Sequence, residues 1–271
     1  EWVDGRDATY NETLCDHLLW HVNEWVVKGG LQGFYHDQFF PTGIDSVSCG
    51  LAYFLPDGQV QPGFAMTTRR RYNMRQHALW LENGIMPPRT LTHTTHGAPI
   101  GALGWVESCV DGEDKRLNHL STSDFADTWP SARIRAGSMS YNWGATYGWM
   151  RLIDPQGMTP EQKTRHDRAY FAHVLLHDCG NPYELGRRML LDWGMDDDRV
   201  LFWPFWSNGD VVRTGNPEVK ASAWTLSAGD QQRLLLLAMN YNREKTAETA
   251  VAIDLEAMGV VLKPGARVVD L

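Results

Sequence analysis

The sequence predicts an α/β fold: the later half of a (β/α)8 barrel over residues 1–197, followed by a small β-sandwich over residues 198–271. Three observations carry this. Strand-like and helix-like segments alternate up to about Asp198, the pattern of a parallel sheet covered by helices. No Gly-x-Gly-x-x-Gly follows any of these strands, which disfavours a doubly wound nucleotide-binding sheet. After Asp198 the texture changes to short apolar runs separated by turn dipeptides such as Asn208-Gly209 and Pro264-Gly265. A whole barrel takes about 250 residues, roughly 30 per unit. Four or five strands are counted here, so the earlier ones lie outside this chain or the barrel is incomplete.

Taken in order, Leu14, Leu18, Val22 and Val26 recur at helical spacing, with Asn11 as cap and Gly29-Gly30 as stop. The stretch LQGFYHD, residues 31–37, reads as the first strand. The loop from Phe40 to Gly63 is long for a compact domain, so it is either functional or carries small elements of its own. TTRRRYNMRQHALWLENG is a second helix, ended by Gly84 and Pro87-Pro88. Its three arginines, Arg69 to Arg71, read as a solvated face. RTLTHTTH, LGWVESCVDGED and ARIRAGSMSYN read as the second, third and fourth strands. Thr159-Pro160-Glu161-Gln162 opens a helix reaching about Asp178, and ELGRRMLLDWG is a further helix. Beyond it, RVLFWPFW, VKASAWTLSA, QRLLLLAMNYN, ETAVAIDLEAM and ARVVDL are the strand candidates of the sandwich.

The 271 residues carry a net charge of −8 and 43% hydrophobic residues, enough for a large core. No long basic block argues for a nucleic-acid partner. No apolar run approaches the ~18 residues of a membrane span. The chain opens on Glu1 with no signal-peptide pattern, so its start reads as processed or truncated. The four cysteines, Cys15, Cys49, Cys109 and Cys179, form no C-x-x-C pair and read as buried thiols, with a disulfide as the open alternative. Twelve tryptophans supply flat rings that suit both core packing and the C–H faces of sugars.

In a barrel the reactive residues sit where strands end. Asp37 ends the first strand, and Asp111, Glu113 and Asp114 end the third. Asp37 and Glu113 are about two βα units apart, which would set them across one mouth. Two carboxylates across a pocket are the equipment of glycosidic cleavage. The competing readings are a turn-capping Asp37 and a solvent-facing Asp-Gly turn at Asp111-Gly112. His36, Asp37, His93 and His96 could instead hold a metal, although His-x-x-His on a strand sends its side chains to opposite faces.

GFYHDQFFP, RRRYNMRQHALWLENG, THTTH and LGWVESCVDGED together resemble bacterial glycoside-hydrolase-like proteins with a (β/α)8 barrel and a C-terminal β-sandwich. Those are loosely similar to glycoside hydrolase family 123 and, more distantly, to α-galactosidase-like barrels. The resemblance covers roughly Leu31 to Asp114, together with the tail. It implies functional roles for Tyr35 and Asp37, for His93 and Thr94, and for Asp111 to Glu113. The family's adjacent Asp-Glu pair is met here only as Glu113-Asp114, in reversed order.

The expected activity is therefore O-glycosidic hydrolysis without a cofactor, on a poly- or oligosaccharide. Glu113 is the expected general acid/base, with Asp111 beside it, and Asp37 is the expected nucleophile or charge stabiliser. Tyr35, His36, His93, His96, Trp105, Glu107, Tyr141 and Trp143 are the expected sugar-binding wall. A non-catalytic carbohydrate-binding or structural protein on a degenerate barrel, and a metal-dependent hydrolase, are the alternatives. An incomplete barrel would have to cover its open edge, with another chain or with a preceding segment.

Overall fold

Helix α1, Glu12–Gly29, forms where the apolar spacing places it. Asn11 caps it by accepting the Leu14 N–H at 2.8 Å, and Gly30, at φ 66°, ends it in the left-handed region. Its buried face, Cys15, Leu19, Val22 and Val26, packs against the second long helix and against the first strand of a parallel sheet. The computed structural model describes residues 11–37, 43–94, 100–111, 130–137, 145–149, 158–180, 187–228, 231–241 and 245–269.

The chain divides into two compact units, residues 1–114 with 141–147, and residues 115–140 with 148–271. This division differs from the one expected at residue 198. The strand–helix alternation continues past the point where the first unit ends.

In the first unit, β1 (Phe34–His36) is followed by short antiparallel pairs within the long loop. These are β2 (Gly43–Ile44) with β5 (Gly63–Phe64), and β3 (Tyr53–Phe54) with β4 (Val60–Gln61). The loop thus carries its own elements. Gly63 is required there, because an added Cβ would lie 1.9 Å from the Leu51 carbonyl oxygen. Helix α2 (Met66–Glu82) then leads to β6 (Thr90–His93), the short α3 (Ile100–Leu103) and β7 (Ser108–Asp111). The strand β8 (Thr146–Trp149) begins in this unit. The sheet order is β1-β6-β7-β8, all parallel, with Phe34 opposite Thr90, Leu91 opposite Ser108, and the Thr146 N–H on the Glu107 carbonyl.

The buried face of α2 is Arg69, Tyr72, Asn73, Gln76 and Trp80. Trp80 is fully buried beside Val22 and Val26, and its indole N–H donates to Thr90 Oγ1 at 3.0 Å. Burial of a side chain that size contributes about 3 kcal/mol. The solvated face expected for the three arginines holds for Arg71, which is exposed and pairs with Glu12, but not for Arg69, which is buried.

In the second unit, ARIRAGSMSYN is no strand where the structure describes it. Residues Ser131–Gly137 form helix α4. Alanine and arginine are good helix formers, and Ile134 alone is β-branched there. The fourth strand is the unrecognised TYGW of β8. Its run is only four residues long, with a glycine inside. Helix α5 (Pro160–Leu176) carries the expected capping box, Thr159 with Gln162. Helix α6 (Arg187–Trp193) follows.

The remaining strands form two antiparallel sheets. One has the order β12 (Gln231–Asn240), β11 (Val219–Ala228), β9 (Leu201–Trp203), and the other pairs β10 (Val212–Thr214) with β13 (Val251–Ile253). Val212, Ala221, Ala223 and Met258 form their shared core. The strand expected in ARVVDL is absent over residues 266–269. The fold is thus mixed α/β with a parallel four-stranded sheet and antiparallel sheets. No closed barrel is present among the described residues.

Candidate functional site

Side chains alternate across a strand, so the register sorts the sheet residues by face. His36, Thr92, Cys109 and Tyr147 share one face, the one covered by α2 and α3. His36 Nε2 donates to Gln76 Oε1 at 3.0 Å. Burial pushes the His36 pKa down, against the Gln76 hydrogen bond, with the nearby Arg69 charge adding to the effect. This imidazole is a neutral member of a packed polar layer under α2.

Tyr35, Leu91, His93 and Val110 occupy the other face. There Asp37, the residue after β1, accepts hydrogen bonds on Oδ1 from His93 Nδ1 at 2.8 Å and from the Tyr35 hydroxyl at 3.2 Å. The His93 side chain is 2% exposed and Asp37 is 64% exposed. Nε2 of His93 is buried. In a nucleophile–base triad the carboxylate lies behind and the imidazole faces the substrate. Here the order is inverted: the imidazole is the buried brace and the carboxylate is the exposed group. The carboxyl end of a parallel strand is also where α/β folds place reactive residues.

Asp111 does not join Asp37. It follows Val110, which pairs with His93, so alternation turns it to the helix-covered face. It is 2% exposed there and accepts the Tyr147 hydroxyl on Oδ2 at 2.7 Å. Beside it, burial and the Asp111 charge push the Cys109 thiol up to about 12. Asp111 therefore belongs to a buried network. Tyr147, its partner, went unrecognised because its strand is so short.

Trp105 and Glu107 also lie apart from Asp37. Glu107 precedes β7 at the amino end of the strands. Its two carboxylate oxygens accept from His77 Nδ1 at 3.0 Å and from the Thr90 N–H at 2.8 Å, and Trp105 packs on the His77 ring. They brace the end of the sheet opposite Asp37. The metal alternative needs His36 and His93 together, and the register puts them on opposite faces. Among the described residues no group of three or more His, Cys, Asp or Glu could hold a metal ion. Glu113, Asp114, His96, Tyr141 and Trp143 lie outside the described residues.

The second unit holds a polar cluster that the linear reading passed over. His166, His173 and His177 are all buried along or just past α5. His177 Nδ1 donates to the His173 carbonyl at 2.8 Å, so its Nε2 accepts from Ser131 Oγ at 2.8 Å. Its ring stacks on Trp206, and the Arg135 guanidinium covers Trp206 from 4.8 Å. A serine hydroxyl on an imidazole suggests a nucleophile and its base. Burial, however, holds the His177 pKa at about 4, opposed by the His173 carbonyl and aided by the Arg135 charge. An imidazole that resists protonation this strongly is a poor base, so the pair is a strut that docks α4. Three histidines at helical spacing were the available signal.

Comparison with protein families, with curated proteins and with solved structures finds no match.

Proposed function

We propose that this chain is a glycoside hydrolase and that Asp37 is its working carboxylate, as nucleophile or as stabiliser of the cationic transition state. The observation that carries this reading is the brace on Asp37. An exposed carboxylate at the carboxyl end of a parallel strand is oriented through one oxygen by a buried imidazole and a phenol. His93 and Tyr35 act as positioning residues, because they touch Asp37 and aim it. In this proposal the parallel sheet is part of a (β/α)8-type barrel and the antiparallel sheets form the accompanying sandwich. The second carboxylate is Glu113, acting as general acid/base from the segment after β7.

A reducing-sugar assay across polysaccharides tests the proposal. Asp37→Asn and Glu113→Gln are each expected to lower turnover by about 10³-fold or more, the scale of losing a catalytic group. Both should leave the circular dichroism unchanged. Near-normal hydrolysis by either variant removes that residue from the mechanism. No hydrolysis of any glycan by the unaltered protein removes the proposal.

A further inference from the structure

Helix α1 carries His17 and His21 four residues apart, so a single helical turn sets both side chains on one face, with Cβ atoms about 5–6 Å apart. That turn is anchored: Asn11 caps the helix, and Cys15, Leu19 and Val22 are buried on its other side. His17 is exposed and His21 is half-buried. Their rings stand edge to face, 82° between planes and 4.5 Å between centroids. Among the described residues neither ring makes a hydrogen bond or an ion pair. The exposed indoles of Trp20 and Trp25 flank His21, at 4.8 Å and 6.0 Å between centroids. All three acids of the helix are paired with cations instead: Glu12 with Arg71, Asp16 with Arg75 and Glu24 with Lys28.

We propose that His17 and His21 form a binding site for a divalent transition-metal ion, Cu²⁺ ahead of Zn²⁺. The proposal is independent of the hydrolase reading. An ion held by an imidazole nitrogen at about 2.0–2.1 Å lies about 3.2 Å from the ring centroid. Two rings sharing one ion at about 90–109° therefore have centroids about 4.5–5.2 Å apart. The two histidines already stand at that spacing. Histidines four apart on one helix face are also the pair that zinc-binding helices use. Imidazole donors suit Cu²⁺, Ni²⁺ and Zn²⁺, with copper the strongest binder of the three, whereas Mg²⁺ and Ca²⁺ take oxygen donors. No group of three or more His, Cys, Asp or Glu that could hold a metal occurs among the described residues, so the protein supplies two ligands and solvent completes the shell. The ion is thus exchangeable rather than structural. The anchored helix and the flanking indoles limit the freedom that the rings lose on binding. Edge-to-face packing of two bare rings gives a similar spacing and is the competing account.

The test uses the whole chain without an affinity tag, together with His17→Ala, His21→Ala and the double variant. Alanine is the better helix former, so α1 stays intact in all three, and circular dichroism checks this. Each protein is titrated calorimetrically with CuCl₂, ZnCl₂ and MgCl₂, and the double variant gives the background from the other histidines. The unaltered chain should bind one Cu²⁺ above that background, and Zn²⁺ at the same site more weakly. Each single substitution should weaken Cu²⁺ about tenfold or more, since loss of a ligand costs no less than loss of an outer-shell partner. Electron paramagnetic resonance of the copper-loaded chain should show two imidazole nitrogens on the ion, and one in each single variant. Equal Cu²⁺ affinity in the unaltered chain and the double variant overturns the site in favour of bare ring packing. A loss confined to one of the two positions overturns the pair. Mg²⁺ binding as tight as that of Cu²⁺ overturns the imidazole ligation.

Discussion

Asp178→Asn should stabilise the protein at neutral pH and leave it unchanged in acid. Asp178 follows α5 with its carboxylate beside the core of the second unit, and its Oδ1 accepts the Trp224 indole N–H at 3.2 Å. Burial pushes its pKa up from 3.8 to about 6, and the Trp224 hydrogen bond only partly offsets this. The folded state therefore holds the proton more tightly than the unfolded chain does. Stability is full below about pH 3.8, is lost as pH rises through about 6, and stays lower above it. A shift of about two units corresponds to about 3 kcal/mol at 1.36 kcal/mol per unit. Some solvent reaches the group, so about 1–3 kcal/mol is expected. Asparagine keeps an oxygen for the Trp224 N–H. It also tolerates the left-handed backbone at this position, φ 53°. Urea unfolding followed by tryptophan fluorescence at pH 4 and pH 8 reads the effect. The variant should be more stable than the parent at pH 8 and equal to it at pH 4. An equal loss of stability at both values would show that the carboxylate is not strained by burial and would refute the reasoning.

Two further predictions separate roles assigned above. Asp111→Asn should keep hydrolysis within a few-fold of the parent while lowering stability by about 1–3 kcal/mol, the range for disturbing a buried hydrogen-bonded acid. Turnover and denaturation measured on one preparation check this, and a loss of turnover matching that of Asp37→Asn would return Asp111 to the mechanism. Thr159→Ala removes the side chain that accepts the Gln162 N–H and should cost about 0.5–2 kcal/mol. Thermal unfolding that does not change would mean that α5 is held by packing alone.

Asp37 stood out in the sequence because barrel enzymes carry reactive residues at strand ends, and His93 because THTTH puts histidines on a strand-like run. Local signals also sufficed for α1, α2 and α5, since capping, periodicity and glycine stops act within a few residues of chain. The loop's small elements were one of the two readings that its length alone allowed. ARIRAGSMSYN misled because a short run with one β-branched residue carries too little pattern to separate helix from strand. TYGW was too short to register at all.

By itself, then, the sequence determined where the long helices begin and end, that strands alternate with them, and which titratable residues stand at strand ends. Only the tertiary structure decided which of those residues meet. Asp37 and Asp111 look equivalent along the chain, yet the register of β1 on β6 turns one toward His93 and Tyr35, and that of β6 on β7 buries the other against Tyr147. The physical reason is the two-residue period of a strand: the face a side chain takes depends on pairing with neighbours far away in the chain, and a single step reverses it.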